Sequence, residues 1–332
     1  MTSVAVLGAG SWGTTLADLL ARKGHDVRLW AYEKEVVDSI NREHENRLFL
    51  AGCPLAPELR AFDSATPALR GARMVVCAAP SHAARAVLAL LCAHADSAAL
   101  LVSATKGVET GTLAFMSQVA AEVLPALRFV ALSGPSFALE VFQRQPTAIV
   151  AASADLAASR ETQEAFATGY LRIYSNADVL GTEIGGALKN VIAIAAGVLE
   201  GLGLGNNPRA ALITRGLAEM TRLGLALGAD AQTFAGLAGM GDLILTTCGA
   251  LSRNRALGIA LAQGQSLAAY TESHRTVAEG VNTARAAVAL ATRAGIELPI
   301  AAKVNQLLFE GLPPRQAIAE LMERTPKPEQ WT

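Results

Sequence analysis

Lys189 is the residue whose surroundings most strongly suggest chemistry. It is the only charged side chain between Glu183 and Glu200, within a run of alanine, isoleucine, leucine, valine and glycine. A charge on an otherwise apolar helix is costly unless it is used, and Gly185 and Gly186 leave the helix thin enough for another backbone or a planar ring to approach. An ammonium group here can stabilise the negative charge that develops on a ketone oxygen during hydride transfer, and can then donate the proton. The alternative is a structural lysine that reaches solvent from a buried helix.

Two other groups of residues are suited to binding an anionic substrate. Lys106 follows a predicted strand that ends near Ser103, and open α/β sheets build their sites at the carboxyl ends of strands. A second ammonium near Lys189 would also lower the pKa of Lys189 by like-charge repulsion. Farther along, Ser252 can cap a helix whose first turn carries Arg253, which together offer a hydroxyl, N–H groups and a planar guanidinium to one phosphate. The simpler alternative for Lys106 is an ordinary exposed loop lysine.

Two turns supply further polar groups. The segment Ser133–Ala138 also follows a predicted strand, and its Gly134–Pro135 turn can present backbone N–H groups and a hydroxyl to an anion. Asp242 closes the run Gly239-Met240-Gly241-Asp242, where it is either part of a polar site or only the N-cap of a helix.

A glycine-rich segment near the start of the chain predicts a dinucleotide site. The apolar run Val4–Leu7 is followed by Gly8-Ala9-Gly10-Ser11-Trp12-Gly13 and then by a helical pattern. In such a motif Gly8 allows the tight turn, Gly10 lets the backbone approach a pyrophosphate, and Gly13 lets the helix pack closely on the sheet. The alternative is a plain glycine-rich turn. The order of strand, motif and helix favours the nucleotide site.

The elements that must position these residues form an α/β half followed by a helical half. Short apolar runs typical of strands covered on both faces occur at Val4–Leu7, Val27–Trp30, Met74–Ala78, Ala98–Ser103, Phe129–Leu132, Thr147–Ala151 and Leu171–Tyr174. Helical periodicity then predicts helices at 182–200, 208–227, 231–237, 253–263, 280–294, 299–309 and 314–323. We therefore predict a doubly wound, Rossmann-like sheet domain over residues 1–180, an all-α substrate domain over 181–324 and a loose tail over 325–332.

Composition narrows the class of protein. A chain of 332 residues, 52% of them hydrophobic, can bury a large core, and its formal net charge of −1 gives no indication of nucleic acid or an anionic membrane surface as a partner. The four cysteines and five histidines show no metal-binding spacing, so no metal site is expected. Residues 1–13 lack the pattern of a secretory signal, and a reducing, cytoplasmic location is expected. The stretch Ile184–Leu199 falls short of the roughly 18 clean apolar residues of a membrane span and predicts a buried helix.

Taken together, the motifs closely resemble those of the bacterial NAD(P)-dependent glycerol-3-phosphate dehydrogenase family, in order from residue 4 to about 310. The residues that carry the resemblance are Gly8–Gly13, Pro80–His82, Lys106–Gly107, Ser133–Ala138, Gly185–Asn190, Gly239–Asp242, Ser252–Arg255 and Glu279–Gly280. The resemblance implies a Rossmann-like domain joined to a helical domain similar to the C-terminal domain of 6-phosphogluconate dehydrogenase. It also implies a soluble, usually dimeric enzyme that interconverts dihydroxyacetone phosphate and sn-glycerol 3-phosphate with NAD(H) or NADP(H) and supplies phospholipid synthesis.

The resemblance also assigns roles to matching residues. It makes Lys189 the catalytic acid or base. It places the substrate on Lys106, Gly134, Ser136, Lys189, Asp242, Ser252, Arg253 and Asn254. It places the cofactor on Gly8, Gly10, Ser11, Trp12, Gly13, Tyr32, Lys106, Ala138, Arg253, Val277 and Glu279.

The sequence departs from the family pattern at the end of its second strand. Tyr32 stands where many members carry a basic residue, which weakens a possible contact to a 2′-phosphate. No acidic residue closes the strand at Trp30 or Ala31 either, so the usual discriminator in favour of NAD is missing. The choice between NAD and NADP therefore stays open. A second departure, Ala51 after Phe49-Leu50 where the family often has proline, is expected to affect only a local loop.

Two alternatives to the family's activity remain at the level of sequence. The same two domains could serve a different substrate, a β-hydroxyacid or ketopantoate. The fold could also belong to a nucleotide-sensing protein that binds the cofactor without turnover. Replacement of Arg253 distinguishes the first alternative from the family's activity, and replacement of Lys189 distinguishes the second.

Overall fold

An eight-stranded sheet and a hairpin form the N-terminal half of the molecule, within the residues that the computed structural model describes: 2–93, 99–274, 278–326, 328 and 329. The strands are β1 (Ser3–Leu7), β2 (Asp26–Trp30), β3 (Glu45–Asn46), β4 (Leu50–Pro54), β5 (Arg60–Phe62), β6 (Met74–Cys77), β7 (Leu100–Ser103), β8 (Arg128–Ser133), β9 (Thr147–Ala152) and β10 (Leu171–Asn176). The sheet has the order β10-β9-β8-β7-β6-β1-β2-β5, and β3 pairs with β4 in the hairpin. All neighbours in the sheet run parallel except β8 and β9.

Helices connect the strands and then make up the rest of the chain. Those of the sheet half are α1 (Ser11–Arg22), α2 (Lys34–Glu43), α3 (Ala65–Leu69), α4 (Ser81–Ala89), α5 (Met116–Val123), α6 (Ala138–Phe142) and α7 (Leu156–Phe166), with a 3₁₀ turn at Leu90–Ala93. The second half contains α8 (Val179–Gly201), α9 (Asn206–Ala226), α10 (Ala231–Ala235), a π-helical segment (Leu237–Gly241), α11 (Asp242–Cys248), α12 (Arg253–Ala262), α13 (Leu267–Ser273), α14 (Glu279–Ala294), α15 (Pro299–Phe309) and α16 (Pro314–Met322).

The predicted fold class is confirmed. Each predicted strand lies in the sheet, with ends shifted by one or two residues, and the apolar runs of β1, β6 and β7 are buried because helices cover both faces of the sheet. The sequence did not predict β3, β4 and β5, nor the short helices α11 and α13. The described residues beyond α16 form no helix or strand.

The topology brings the ends of several strands together at one edge. The chain leaves β1 toward β2 and later returns to β6 on the other side of β1, so the crevice between the β1 and β6 loops is a topological switch point. The loops after β6, β7 and β8 end at the same edge, because these strands run parallel to β1. That edge is where the fold places a ligand.

The central element of the second half is α8. Its side chains are buried along most of its length, as predicted for the apolar run around Lys189. Close contact with α12 requires glycine at Gly258, since a Cβ there would lie 2.0 Å from the carbonyl oxygen of Ile194.

The prediction that the stretch Ile184–Leu199 forms a buried helix is confirmed. Helix α8 extends beyond the predicted run at both ends and is long and apolar enough to span, yet 83% of its most apolar window is buried inside the protein. Among the described residues it is the one helix of that kind.

Candidate active site

The glycine loop after β1 has the geometry that a bound pyrophosphate requires. Gly8 has φ +106°, and a Cβ there would lie 2.9 Å from the backbone of Ala78 in the β6 loop. A Cβ on Gly13 would lie 1.9 Å from the carbonyl oxygen of Gly8. Around Gly10, in contrast, the described residues beyond the adjoining backbone place no atom within 4 Å of the corresponding position. The loop is therefore compact on the protein side and open at Gly10, where α1 begins.

The first turn of α1 offers hydrogen-bond donors to that open space. Thr14 N is the first amide to bond within the helix, to the Gly10 carbonyl, so the amides of residues 11–13 precede the helical hydrogen-bond ladder. The indole Nε1 of Trp12 is buried and has no partner among the described residues. Ser11 Oγ donates to the carbonyl of Phe49 at 2.5 Å, which holds the β3–β4 hairpin against the loop. These features fit a dinucleotide.

Two further residues at predicted cofactor positions, Tyr32 and Ala138, belong to the sheet domain. Tyr32 follows β2 and is 84% exposed. Ala138 is the first residue of α6, and its carbonyl accepts a hydrogen bond from Thr15 Oγ1 on α1 at 3.2 Å. Val277 lies outside the described residues.

Glu279, at the start of α14, contacts the sheet domain directly. Its Oε1 accepts from Ser81 N at 2.9 Å and its Oε2 accepts from Ser81 Oγ at 2.5 Å, so the carboxylate binds the first residue of α4. Burial raises the pKa of Glu279, against the opposing effect of the Ser81 hydrogen bonds. Gly107 lies beside this contact, since a Cβ there would lie 2.6 Å from Ser81 Oγ and 2.7 Å from Glu279 Oε2.

Asp242 binds both predicted lysines. Lys189 Nζ lies 2.5 Å from its Oδ1, and Lys106 Nζ lies 2.8 Å from its Oδ2. The Asp242 side chain is completely buried, and Lys189 is 7% exposed. Asp242 is the first residue of α11 and not its N-cap, so the alternative of a simple capping role is wrong. The two ammonium groups share one carboxylate, which leaves the cluster with an excess of positive charge.

Burial lowers the pKa of Lys189 to about 7. The Asp242 carboxylate opposes that shift, and the Lys106 ammonium adds to it, as the sequence predicted from like-charge repulsion. An amine that titrates near neutral pH can both donate and accept a proton under physiological conditions.

The segment Ser252–Asn254 forms the start of α12, as predicted. Ser252 Oγ accepts from Arg255 N at 3.2 Å and caps the helix. Arg253 is exposed and interacts electrostatically with Glu279. Asn254 joins two elements, because its Nδ2 donates to Asn190 Oδ1 at 2.9 Å and its Oδ1 accepts from Gly280 N at 2.9 Å.

The turn after β8 uses its carbonyl rather than its amide toward the lysines. Gly134 has φ +130°, and a Cβ there would lie 3.0 Å from Ile149 Cα on β9. Its carbonyl oxygen accepts from Lys106 Nζ at 2.8 Å and from Ser136 Oγ at 2.9 Å. The turn therefore gives Lys106 Nζ a second acceptor in addition to Asp242.

Sequence reasoning missed two polar residues at this site. Thr246 Oγ1 accepts from Lys189 Nζ at 2.9 Å, one helical turn after Asp242. Its spacing of four residues from Asp242 was the available signal. Glu183 is buried on α8, six residues before Lys189. In the sequence it only marks the start of the uncharged run. Within the described residues, no group of histidine, cysteine or acidic side chains could hold a metal ion.

A Rossmann-like domain that presents an open glycine loop, joined to a helical domain that carries a buried lysine, defines a dehydrogenase of the two-domain nicotinamide type. Family models for the N-terminal and C-terminal parts of NAD-dependent glycerol-3-phosphate dehydrogenase match residues 3–159 and 178–319. The chain belongs to the NAD-dependent glycerol-3-phosphate dehydrogenase family. The family and the enzyme class that the motifs indicated are thereby confirmed.

Individual relatives agree along the whole chain. Glycerol-3-phosphate dehydrogenase [NAD(P)+] of Geobacter sulfurreducens is 56% identical over 331 residues, 99% of each chain. The crystal structure of glycerol-3-phosphate dehydrogenase from Coxiella burnetii is 39% identical with a TM-score of 0.94, covering 97% of this chain and 99% of that one. A ketopantoate reductase from Ralstonia eutropha, 16% identical with a TM-score of 0.57, covers 96% of this chain and 99% of its own and shares the fold alone.

Proposed function

We propose that the chain transfers a hydride reversibly between NAD(P)H and dihydroxyacetone phosphate, giving sn-glycerol 3-phosphate. The observation that carries the proposal is the buried cluster in which Asp242 binds Lys189 and Lys106 at the carboxyl edge of the sheet. The phosphate-binding groups at the start of α12 belong to the same helical half, and relatives named for this activity match the chain over its full length.

The glycine loop, together with residues from both halves of the chain, would hold the cofactor. These are Gly8, Gly10, Ser11, Trp12, Gly13, Tyr32, Lys106, Ala138, Arg253 and Glu279, with Val277 proposed from the sequence alone. When bound, the nicotinamide supplies the hydride for ketone reduction and accepts it for alcohol oxidation.

Lys189 Nζ moves the proton. In the reducing direction the ammonium donates a hydrogen bond to the ketone oxygen, stabilises the charge that develops there, and transfers its proton to that oxygen. In the oxidising direction the neutral amine takes the proton from the hydroxyl. Asp242 and Thr246 hold Nζ in place through contacts of 2.5 and 2.9 Å.

The phosphate is bound by groups that do not take part in proton transfer. The guanidinium of Arg253 can form paired, charge-assisted hydrogen bonds to phosphate oxygens. The Ser252 hydroxyl and the first amides of α12 lie at a helix N-terminus, which favours an anion. Lys106, Gly134, Ser136, Asp242 and Asn254 complete the proposed substrate site.

The domain bounds, the cellular location, the oligomeric state and the biological role are proposed from the sequence and the family. We propose that the sheet domain spans 1–180 and the substrate domain 181–324. The tail predicted over 325–332 lies partly outside the described residues, which omit 327 and 330–332. The enzyme would be a cytoplasmic homodimer that supplies phospholipid synthesis, with no nucleic-acid partner. Light scattering of the purified protein tests the dimer, since a monomeric mass would contradict it.

Turnover of purified protein tests the reaction and the cofactor choice together. NADH and NADPH are compared side by side with dihydroxyacetone phosphate, by the loss of reduced-nicotinamide absorbance. Consumption of either cofactor supports the proposal. Cofactor binding without turnover would favour a nucleotide-sensing protein instead. Because Tyr32 is neutral and 84% exposed, we expect discrimination between the two cofactors to be weak.

A further inference from the structure

Glu183 makes a buried contact between the catalytic helix and the sheet domain. It lies on α8 and is 8% exposed. Its Oε1 accepts from Ser117 N at 2.8 Å, and its Oε2 accepts from Ser117 Oγ at 2.5 Å. Ser117 is in the first turn of α5, where the helix leaves its amide without an intrahelical acceptor. The carboxylate therefore caps α5 from another part of the chain.

This contact holds one end of the segment that carries Lys106. The segment 104–115, here called the Lys106 loop, connects β7 to α5. Near its start, Lys106 Nζ binds Asp242 at 2.8 Å. Two residues beyond its far end, in the first turn of α5, Ser117 binds Glu183. Both ends are thus attached to the helical half through carboxylates.

Two apolar side chains of the Lys106 loop also attach it to the helical half. Val108 and Phe115 are buried in the helical core and not in the cores of the sheet domain. That core includes Ile184 and Leu188, which lie on α8 between Glu183 and Lys189. The position of Lys106 relative to Lys189 therefore depends on how this loop is attached to α8.

A second contact of the same kind flanks the loop. Glu279 on α14 binds Ser81 through both its amide and its hydroxyl, beside Gly107. Each of the two glutamates comes from the helical half and caps a helix of the sheet half. Glu279 occupies a proposed cofactor position, whereas Glu183 does not.

We propose that Glu183 is a positioning residue for Lys106: by binding Ser117 it fixes the end of the Lys106 loop on α8, so that the two ammonium groups meet at Asp242. This inference rests on the proposed function, in which Lys106 binds the phosphorylated substrate. Glu183 itself does not touch the reacting atoms.

A purely structural role is the competing explanation, and Glu219 provides a matched control. Glu219 is also a buried glutamate, and it caps α15 by accepting from Ile300 N at 2.6 Å and Ala301 N at 3.2 Å. Replacement of either glutamate by alanine leaves two buried donors without an acceptor and should lower the melting temperature. Of these two glutamates, only Glu183 binds a residue next to the Lys106 loop.

The test is a double-mutant cycle on the full-length enzyme. We expect Glu183→Ala to lower kcat/KM for dihydroxyacetone phosphate by about 10- to 100-fold, mainly through KM, because small misplacements of a binding group have effects of that size. Its cofactor Kd, measured by fluorescence titration, should change no more than it does in Lys106→Ala, because Lys106 is also a proposed cofactor residue. In a Lys106→Ala background the same substitution should have almost no further effect, since its target is already absent. Glu183→Gln retains one acceptor oxygen and should recover most of the loss.

The outcomes separate the inference from the proposed function. An unchanged KM in Glu183→Ala, additive effects in the cycle, or an equal rise of KM in Glu219→Ala would each overturn the positioning role. If Glu183→Ala does not fold, the cycle is run with Ser117→Ala, which removes the Oγ contact and retains the amide, and the same criteria apply. Absence of turnover in the unaltered chain would overturn the proposed function and this inference with it.

Discussion

The ammonium of Lys189 and the carboxylate of Asp242 form a buried ion pair with an Nζ to Oδ1 distance of 2.5 Å. Lys106 binds the second oxygen of the same carboxylate. With both lysines protonated, the cluster of Lys189, Lys106 and Asp242 therefore carries a net positive charge. Loss of one proton from Lys189 would leave one positive and one negative charge. The site therefore favours binding of an anionic substrate and also favours release of a proton from Lys189.

Replacement of Lys189 by alanine should separate binding from turnover. We expect Lys189→Ala to lower kcat by about 10²- to 10⁴-fold, the usual contribution of acid/base assistance. The Kd of NADH, measured by fluorescence titration, should stay the same, because the glycine loop is unaffected. Unchanged turnover would remove Lys189 from the mechanism.

The pH dependence should have opposite signs in the two directions. With a Lys189 pKa of about 7, reduction needs the ammonium, so kcat/KM for dihydroxyacetone phosphate should fall as the pH rises through that value. Oxidation of sn-glycerol 3-phosphate needs the neutral amine and should increase over the same range. Lys106→Met should move both midpoints to higher pH, because it removes a neighbouring positive charge. A flat profile over about one pH unit on either side of that value would contradict the assignment.

Arg253 should determine the preference for phosphorylated substrates. Hydrogen bonds to charged groups are worth about 1.5 to 3 kcal/mol, so Arg253→Ala should raise the KM for dihydroxyacetone phosphate about 10- to 100-fold. The KM for unphosphorylated dihydroxyacetone should change far less.

The matched control for that variant is Arg255, two residues further on. Arg255 binds the Glu200 carboxylate at 2.5 to 2.9 Å. We expect Arg255→Ala to lower the melting temperature without changing the ratio of the two KM values. An equal effect of Arg253→Ala on both substrates would favour the alternative of an unphosphorylated hydroxyacid.

Two glycines of the same loop should respond differently to alanine. Gly13→Ala places a methyl group 1.9 Å from the Gly8 carbonyl oxygen, so the loop must distort and the melting temperature should fall. Gly10→Ala meets no atom within 4 Å in the part of the chain that the structure describes, apart from the adjoining backbone, and should leave the melting temperature nearly unchanged. It should still weaken NADH binding, because the methyl group enters the space proposed for the pyrophosphate. Thermal melts and fluorescence titrations of both variants check this, and intact NADH affinity in Gly10→Ala would contradict the proposed location.

Local patterns were sufficient to predict most strands of the sheet, the turn and helix start of the glycine loop, and the buried position of Lys189. Buried parallel strands give continuous apolar runs, and one charge in an apolar helix is conspicuous in any sequence. Strand β5 escaped prediction because it has only three residues, of which Ala61 alone is buried. Helix α11 escaped because its seven residues follow a glycine-rich π-helical segment.

The pairing of distant side chains could not be predicted in the same way. Asp242 is 53 residues from Lys189 and 136 from Lys106, so nothing local indicates that one carboxylate binds both lysines. Glu183 likewise gave no signal of its contact with Ser117, because a glutamate that caps a helix from another element follows no spacing rule. For Lys189, Lys106 and Asp242 the resemblance supplied roles without supplying contacts, and for Glu183 it supplied neither.

The burial of Val108 and Phe115 in the helical core bears on how the chain folds. A fragment that ended at residue 180 would contain the whole sheet, yet it would expose both side chains to water, because their packing partners lie in the other half. The two halves should therefore unfold together in one cooperative transition rather than independently. Nascent chains would then acquire an ordered Lys106 loop only after the helices of the second half had been synthesised.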